Sequence, residues 1–166
     1  NSNLLHIMDA DNNLLRGNGG WSYTLNHVTP TTTDQLNLIA KPTLLKDSLE
    51  FEGRTPCGIP GLMTPGQACY KLKWHVILYA TNETNRPGTY KVLGTAWCDD
   101  GGRKGTWKMF TRKDNKVRYQ LDDEKGNGLL YFVKVDENIL AFTDANGNLL
   151  VGDLDFSYTL NRRRKR

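Results

Sequence analysis

Long hydrophobic runs and the motifs of catalysis are both missing from this 166-residue chain. No apolar stretch approaches the ~20 residues of a membrane span, so the chain reads as soluble with no transmembrane segment. No leader precedes Asn1, which reads as a mature or trimmed product and leaves export open. Histidine is scarce: His6, His27 and His75 are scattered, and neither G-x-S-x-G, H-E-x-x-H nor a phosphate-cradling glycine loop occurs. The acidic groups Asp99-Asp100 and Asp122-Asp123-Glu124 lie beside glycines at expected turns, where carboxylates are solvated. A non-enzymatic protein without a cofactor is the expectation. A spread of positive charge is missing too. The net charge is +4, yet Arg162, Arg163, Arg164, Lys165 and Arg166 alone carry +5, which leaves the body at −1. A nucleic-acid binder needs basic residues over a folded face, so no nucleic-acid partner is expected, and residues 162–166 read as a solvated basic tail.

Against these absences stands an internal repeat. Residues Asn3 to Asn26 (NLLHIMDADNNLLRGNGGWSYTLN) and Asn138 to Asn161 (NILAFTDANGNLLVGDLDFSYTLN) align without a gap at an offset of 135, and 13 of 24 pairs are identical. A repeat is read first because it fixes what counts as a unit. The first copy is either the end of an upstream unit or a hairpin the fold uses twice. It reads as a β-hairpin, Leu4 to Met8 turning at Asp9–Asn13 into Leu14–Arg16, with Gly17 to Gly20 breaking the chain before Trp21–Leu25. Leu4-Leu5, Leu14-Leu15, Trp21 and Tyr23 are too apolar to stay in water, so this segment is expected to cover the rest of the chain or a second copy, a homodimer through the hairpin.

Residues 1–28 are therefore set apart, 29–43 read as a linker, and 44–161 as the main domain. There, short runs alternate apolar and polar residues: Ser48–Arg54, Lys71–Tyr79, Gly88–Trp97, Gly105–Thr111, Val117–Leu121, Leu129–Val135, Ile139–Thr143, Leu149–Val151 and Phe156–Leu160. Turn chemistry separates them, as at Asn85-Arg86-Pro87-Gly88, Lys125-Gly126-Asn127-Gly128 and Asn146-Gly147. Eight or nine strands on short loops describe an all-β antiparallel up-and-down meander, which loses its edges most simply by closing into a barrel of about eight strands.

The segments Phe51-Glu52-Gly53-Arg54-Thr55-Pro56-Cys57, Cys69-Tyr70-Lys71-Leu72-Lys73-Trp74, Gly105-Thr106-Trp107 and Asp136-Glu137-Asn138-Ile139-Leu140 resemble the bacterial envelope family built on the N-terminal domain of NlpE, the lipoprotein associated with copper resistance and envelope stress. The resemblance covers roughly residues 49–161 and implies a lipocalin-like barrel exported to the periplasm, the outer membrane or the cell exterior. The family's C-x-x-C is replaced here by Cys57 and Cys69 with eleven residues between them.

Cys57 and Cys69 bracket a Gly- and Pro-rich loop that supplies little packing of its own, so a structural disulfide is the preferred reading, with Cys98 left over. The alternative notes that Cys57, Met63, Cys69 and His75 fall at equal steps of six, a soft donor set suited to copper. A third reading concerns Trp74, Tyr90, Trp97, Trp107 and Tyr119. Lining a barrel, these aromatics would enclose a small apolar or sugar-like ligand; packed against each other, they would simply fill it. The function expected is thus a small-ligand-binding or interaction module, with copper handling and a structural repeat mediating association as alternatives.

Overall fold

A computed structural model describes residues 3–27, 48–62, 68–81, 86–95 and 101–163. Eight strands close into an antiparallel barrel: β3 (Ser48–Thr55), β4 (Leu72–Ala80), β5 (Pro87–Gly94), β6 (Arg103–Thr111), β7 (Val117–Asp122), β8 (Gly128–Lys134), β9 (Ile139–Thr143) and β10 (Thr159–Arg162). Each strand pairs with its neighbour in sequence, and β10 returns to β3 through Asn161↔Glu52 and Arg162↔Phe51. A separate two-stranded sheet, β1 (Leu4–His6) with β2 (Thr24–Asn26), precedes it. Among the described residues no helix is long and apolar enough to cross a membrane. The linker expected at residues 29–43 lies outside the described residues.

Period-two alternation writes the barrel. In β3 and β4, Leu49, Phe51, Leu72, Trp74, Val76 and Leu78 are buried while the residues between them are partly buried or exposed. These side chains share one interior core with Tyr90, Trp107, Tyr119, Phe132, Phe142 and Leu160, and each large apolar side chain so buried contributes roughly 1.5–3 kcal/mol. The seam is tight. A Cβ on Gly53 would stand 2.9 Å from Thr159 O, so β3 and β10 close only with glycine there.

Two expected elements differ. Leu149–Val151 makes a single bridge, Thr143↔Leu149, rather than a strand, and Leu14–Arg16 likewise contributes one bridge, Met8↔Leu14. The strand that pairs with β1 is β2, nearly twenty residues on, because Gly17 turns the chain away, as Gly152 does between β9 and β10: a Cβ on Gly17 would meet Trp21 O at 2.2 Å, and one on Gly152 would meet Phe156 O at 2.0 Å. β10 also runs further than expected, to Arg162, and the amide of Arg163 donates to Glu50 O at 2.8 Å.

Three turns share one chemistry. In Asp9–Asn13, Asp123–Asn127 and Asp144–Asn148, the Asn amide donates to the Asp Oδ1, the Asp amide donates to the Asn carbonyl, and the residue before the Asn has positive φ (Asn12, Gly126, Gly147). The Asn13 amide and side chain hold the Asp9 carboxyl below its usual range, and the Asn127 amide does the same for Asp123. Partial burial pushes Asp144 up, but the hydrogen bonds from Asn148 outweigh it and the net shift is downward. The Arg118 guanidinium, bidentate to Asp114 at 2.7 and 2.8 Å, holds that carboxyl well below the carboxylate range. A carboxylate depressed in the folded state adds stability above its unfolded pKa and loses it as pH falls through the folded value. The melting temperature should therefore hold to about pH 5 and fall steeply below about pH 4, and Asp114→Asn should flatten that fall in a pH series of thermal melts.

Candidate functional site

The aromatic set named from the sequence is brought together inside the barrel, with Trp97 outside the described residues. Trp74, Tyr90, Trp107 and Tyr119 are each no more than 3% exposed. Trp107 meets the Tyr119 ring edge-on at 5.3 Å, and Trp74 meets Phe142 at 5.1 Å, which in turn packs on Phe132 at 4.5 Å. Their polar tips are turned to protein atoms: Trp74 Nε1 donates to Thr55 Oγ1 at 2.9 Å, Trp107 Nε1 to Tyr79 O at 2.8 Å, and Tyr90 OH to Asp122 O at 2.9 Å. Burial and the nearby Asp122 carboxylate push the Tyr90 phenol up to about 12, so it stays a donor. The cavity beside Arg118, Tyr119, Phe132 and Gly147 measures about 10 Å³, room for about one water. Trp74 of β4 thus meets Phe142 of β9 across the interior, and these rings pack on one another.

Cys57 and Cys69 are joined in a disulfide. Ile59 and Leu62 of the loop they close pack on the barrel core, with Ile59 5% exposed, and Tyr158 OH donates to Cys57 O at 2.6 Å. Both sulfurs are thus bonded to each other, which leaves neither as a thiolate ligand. Met63 lies outside the described residues. His75 faces outward, its Nε2 3.1 Å from Glu50 Oε2 and 3.4 Å from Arg163. Among the described residues no three His, Cys, Asp or Glu side chains form a cluster that could hold a metal.

A different surface joins residues the sequence had set 135 positions apart. The first copy lies against the outer face of β9 and β10, and the two copies contact each other reciprocally. Gly17 N donates to Asn161 Oδ1 at 2.9 Å, and Gly152 N donates to Asn26 Oδ1 at 3.1 Å. Gly17 corresponds to Gly152 and Asn26 to Asn161, so these are one hydrogen bond made twice. Ser22 Oγ and Ser157 Oγ, also equivalents, stand 2.8 Å apart. Identical residues touching each other, flanked by swapped pairs, are the signature of a local two-fold axis. The copies match internally as well: Ile7 N to Tyr23 O repeats as Phe142 N to Tyr158 O, and Leu15 N to Ile7 O as Leu150 N to Phe142 O.

Packing reinforces the polar contacts. Val133, Val135, Ile139 and Ala141 form a second apolar cluster on the outside of the barrel, closed by Leu14 from the first copy and Leu149 from the second. Barrel strand β3 grips the first copy too, Gly19 N donating to Glu52 Oε1 and Arg54 Nη1 to Gly20 O. Asn161 ends 1% exposed and Thr159 2%. The sequence carried the signal for this surface in the repeated Ser-Tyr-Thr-Leu-Asn. Its Ser, Thr and Asn are kept in both copies, and so are Leu5, Tyr23 and Leu25, whose equivalents Leu140, Tyr158 and Leu160 face the core, whereas Ile7 differs from Phe142.

Two outcomes follow for these residues. Trp107→Ala should cost roughly 3–5 kcal/mol in urea titration, as for a ring filling a core, whereas the wall of an open ligand pocket would give far less. Replacing both Cys57 and Cys69 by Ser should cost about 3 kcal/mol, the chain-entropy value for so short a loop, read as a lower urea midpoint with unchanged slope. No family model, no curated protein and no solved structure matches the chain.

Proposed function

We propose that this chain is a non-enzymatic association module: a filled barrel of the exported, envelope type whose work is to pair with a unit like itself through the repeated segment. The observation that carries this reading is the reciprocal contact set, Gly17 to Asn161, Gly152 to Asn26 and Ser22 to Ser157. Such contacts arise where two copies of one surface meet, and they bury the outer face of β9 and β10 that would otherwise leave Ile139, Ala141 and Asn161 without cover. The packed interior supports association over ligand binding, since the rings that would have enclosed a ligand satisfy each other. Export fits the disulfide, a bond that persists in oxidising compartments such as the periplasm. The copper reading has less to stand on, because both cysteine sulfurs are committed to that bond.

Ser22→Ala with Asn26→Ala leaves every barrel strand intact and removes one partner from each of two reciprocal contacts. Amide exchange across residues 3–27 should accelerate by about tenfold or more while β3 to β10 keep their protection. In parallel, a fluorescent fatty acid titrated into the unmodified chain should give no saturable change in tryptophan emission. Saturable binding together with unaltered exchange in the double variant would transfer the function to a ligand and defeat the association reading.

A further inference from the structure

The first copy presents an apolar face to water. Leu5 is 64% exposed, Trp21 51%, Leu25 53% and Ile7 40%. Leu5 and Leu25 are directly opposed across β1 and β2, and Trp21 stands edge-on to Tyr23 at 4.5 Å. Shifted by 135, these residues become Leu140, Leu160, Phe142 and Phe156. Leu140, Leu160 and Phe142 are all 0% exposed and belong to the barrel core, and Phe156 is covered by Tyr70 at 5.7 Å. The exposed face of β1 and β2 is therefore the face that, in β9 and β10, looks into a barrel.

Its edges are open in the same sense. Among the described residues β1 and β2 pair only with each other, whereas β9 continues to β8 through Phe132↔Phe142 and β10 to β3 through Asn161↔Glu52. The other side of the two-fold axis is incomplete in a matching way. Glu52 and Arg54 of β3 hold Gly19 and Gly20; the positions equivalent to those glycines are Leu154 and Asp155, and Leu154 is 89% exposed. A second β3-like strand placed by the same axis would lie over Leu154.

From these correspondences we propose that β1 and β2 are the two closing strands of a second barrel, whose other six strands are a repeat of β3 to β8 carried ahead of them on the same polypeptide. The two barrels then sit back to back, related by the axis between Ser22 and Ser157. The inference rests on the association reading and names its partner: a six-stranded antiparallel sheet with an apolar inner face, which supplies to Leu5, Ile7 and Leu25 what β3 to β8 supply to Leu140, Phe142 and Leu160. A second copy of this barrel is the poorer occupant, because its own six strands already hold β9 and β10, with Phe142 where the first copy offers the smaller Ile7.

The test keeps the chain from Asn3 onward intact and places residues 44–137 before it, so that Glu137 is followed by Asn3 as it is natively followed by Asn138. In the unextended chain, 1-anilinonaphthalene-8-sulfonate should bind the exposed face, and Leu5→Glu with Leu25→Glu should cut its fluorescence about fivefold without moving the melt. In the extended chain the dye signal should vanish, Trp21 should become about threefold harder to quench with acrylamide, and the added strands should resist protease. There the same two substitutions should render the added strands digestible. Added strands that are digested in the extended chain, with Trp21 as quenchable as before, overturn the second barrel; if residues 3–27 keep their exchange protection in that result, the association reading survives it. Loss of that protection as well would overturn both.

Discussion

Strands β9 and β10 are buried on both faces, and most of the molecule follows from that constraint. Ile139 to Thr143 are all at or below 4% exposure, and so are Thr159 to Asn161. An antiparallel barrel strand ordinarily shows its outer face to water and alternates accordingly. Here Leu140, Phe142 and Leu160 face the core, while Ala141, Ile139, Thr159 and Asn161 face outward into a second layer. A buried asparagine costs free energy unless its amide is bonded, on the order of 1–3 kcal/mol for a group left unsatisfied. The amide of Gly17 meets half of that need at Asn161 Oδ1, while the buried Asn161 Nδ2 has no partner. The first copy is thus the cover that the barrel's last two strands require.

The architecture was legible because its signals are local. Alternation in Leu72-Lys73-Trp74-His75-Val76 fixes which side chains point inward whatever their partners, and the Asp-to-Asn turns announce themselves by residue type at Asp123–Asn127 and Asp144–Asn148. The repeat likewise located the first copy, but the burial expected of its apolar residues holds for Leu4 and in part for Leu14, not for Leu5, which stays exposed. What could not be read was the pairing of β1. Leu14–Arg16 has the composition of a return strand, yet Gly17 diverts the chain through a turn held by Asn18 Oδ1, and Thr24–Asn26 takes its place. That exchange depends on how closely Gly17 approaches Trp21 O, a distance no residue pattern encodes. Trp21, expected to be buried, stays half-exposed and packs on Tyr23, whereas its equivalent Phe156 is partly covered by Tyr70.

The candidate sites divide along the same line. Sequence picked Trp74, Tyr90, Trp107 and Tyr119 as a group and the structure places them together, but whether inward aromatics line a pocket or fill it depends on barrel radius and on contacts across the interior. Phe142, from a strand far along the chain, reaches Trp74 across the interior, and Phe132 packs on Phe142 in turn. Cys57 and Cys69 were separable from a soft-metal set only by the sulfur–sulfur bond itself. The surface proposed to do the work was hidden in plain sequence, because reciprocal contacts between Ser22 and Ser157 or Asn26 and Gly152 require knowing that the copies face each other.

Reciprocity also limits how such a surface can evolve in one chain. A substitution at Ser157 is felt at its own contact with Ser22, but a change at Asn161 disturbs only the bond to Gly17 and leaves its twin at Asn26 and Gly152 intact. Among the positions that face a barrel interior, Ile7 and Phe142 have been free to diverge, volume there being settled by local packing, while Leu5/Leu140, Tyr23/Tyr158 and Leu25/Leu160 are kept. The polar residues at the axis have no such freedom, since a donor and an acceptor must change together or a buried group is left without its partner. Gly17/Gly152, Ser22/Ser157 and Asn26/Asn161 are kept as mutual contact requires, and Leu5/Leu140, Tyr23/Tyr158 and Leu25/Leu160 are kept as a shared strand pairing requires, so contact and folding together hold the two copies alike.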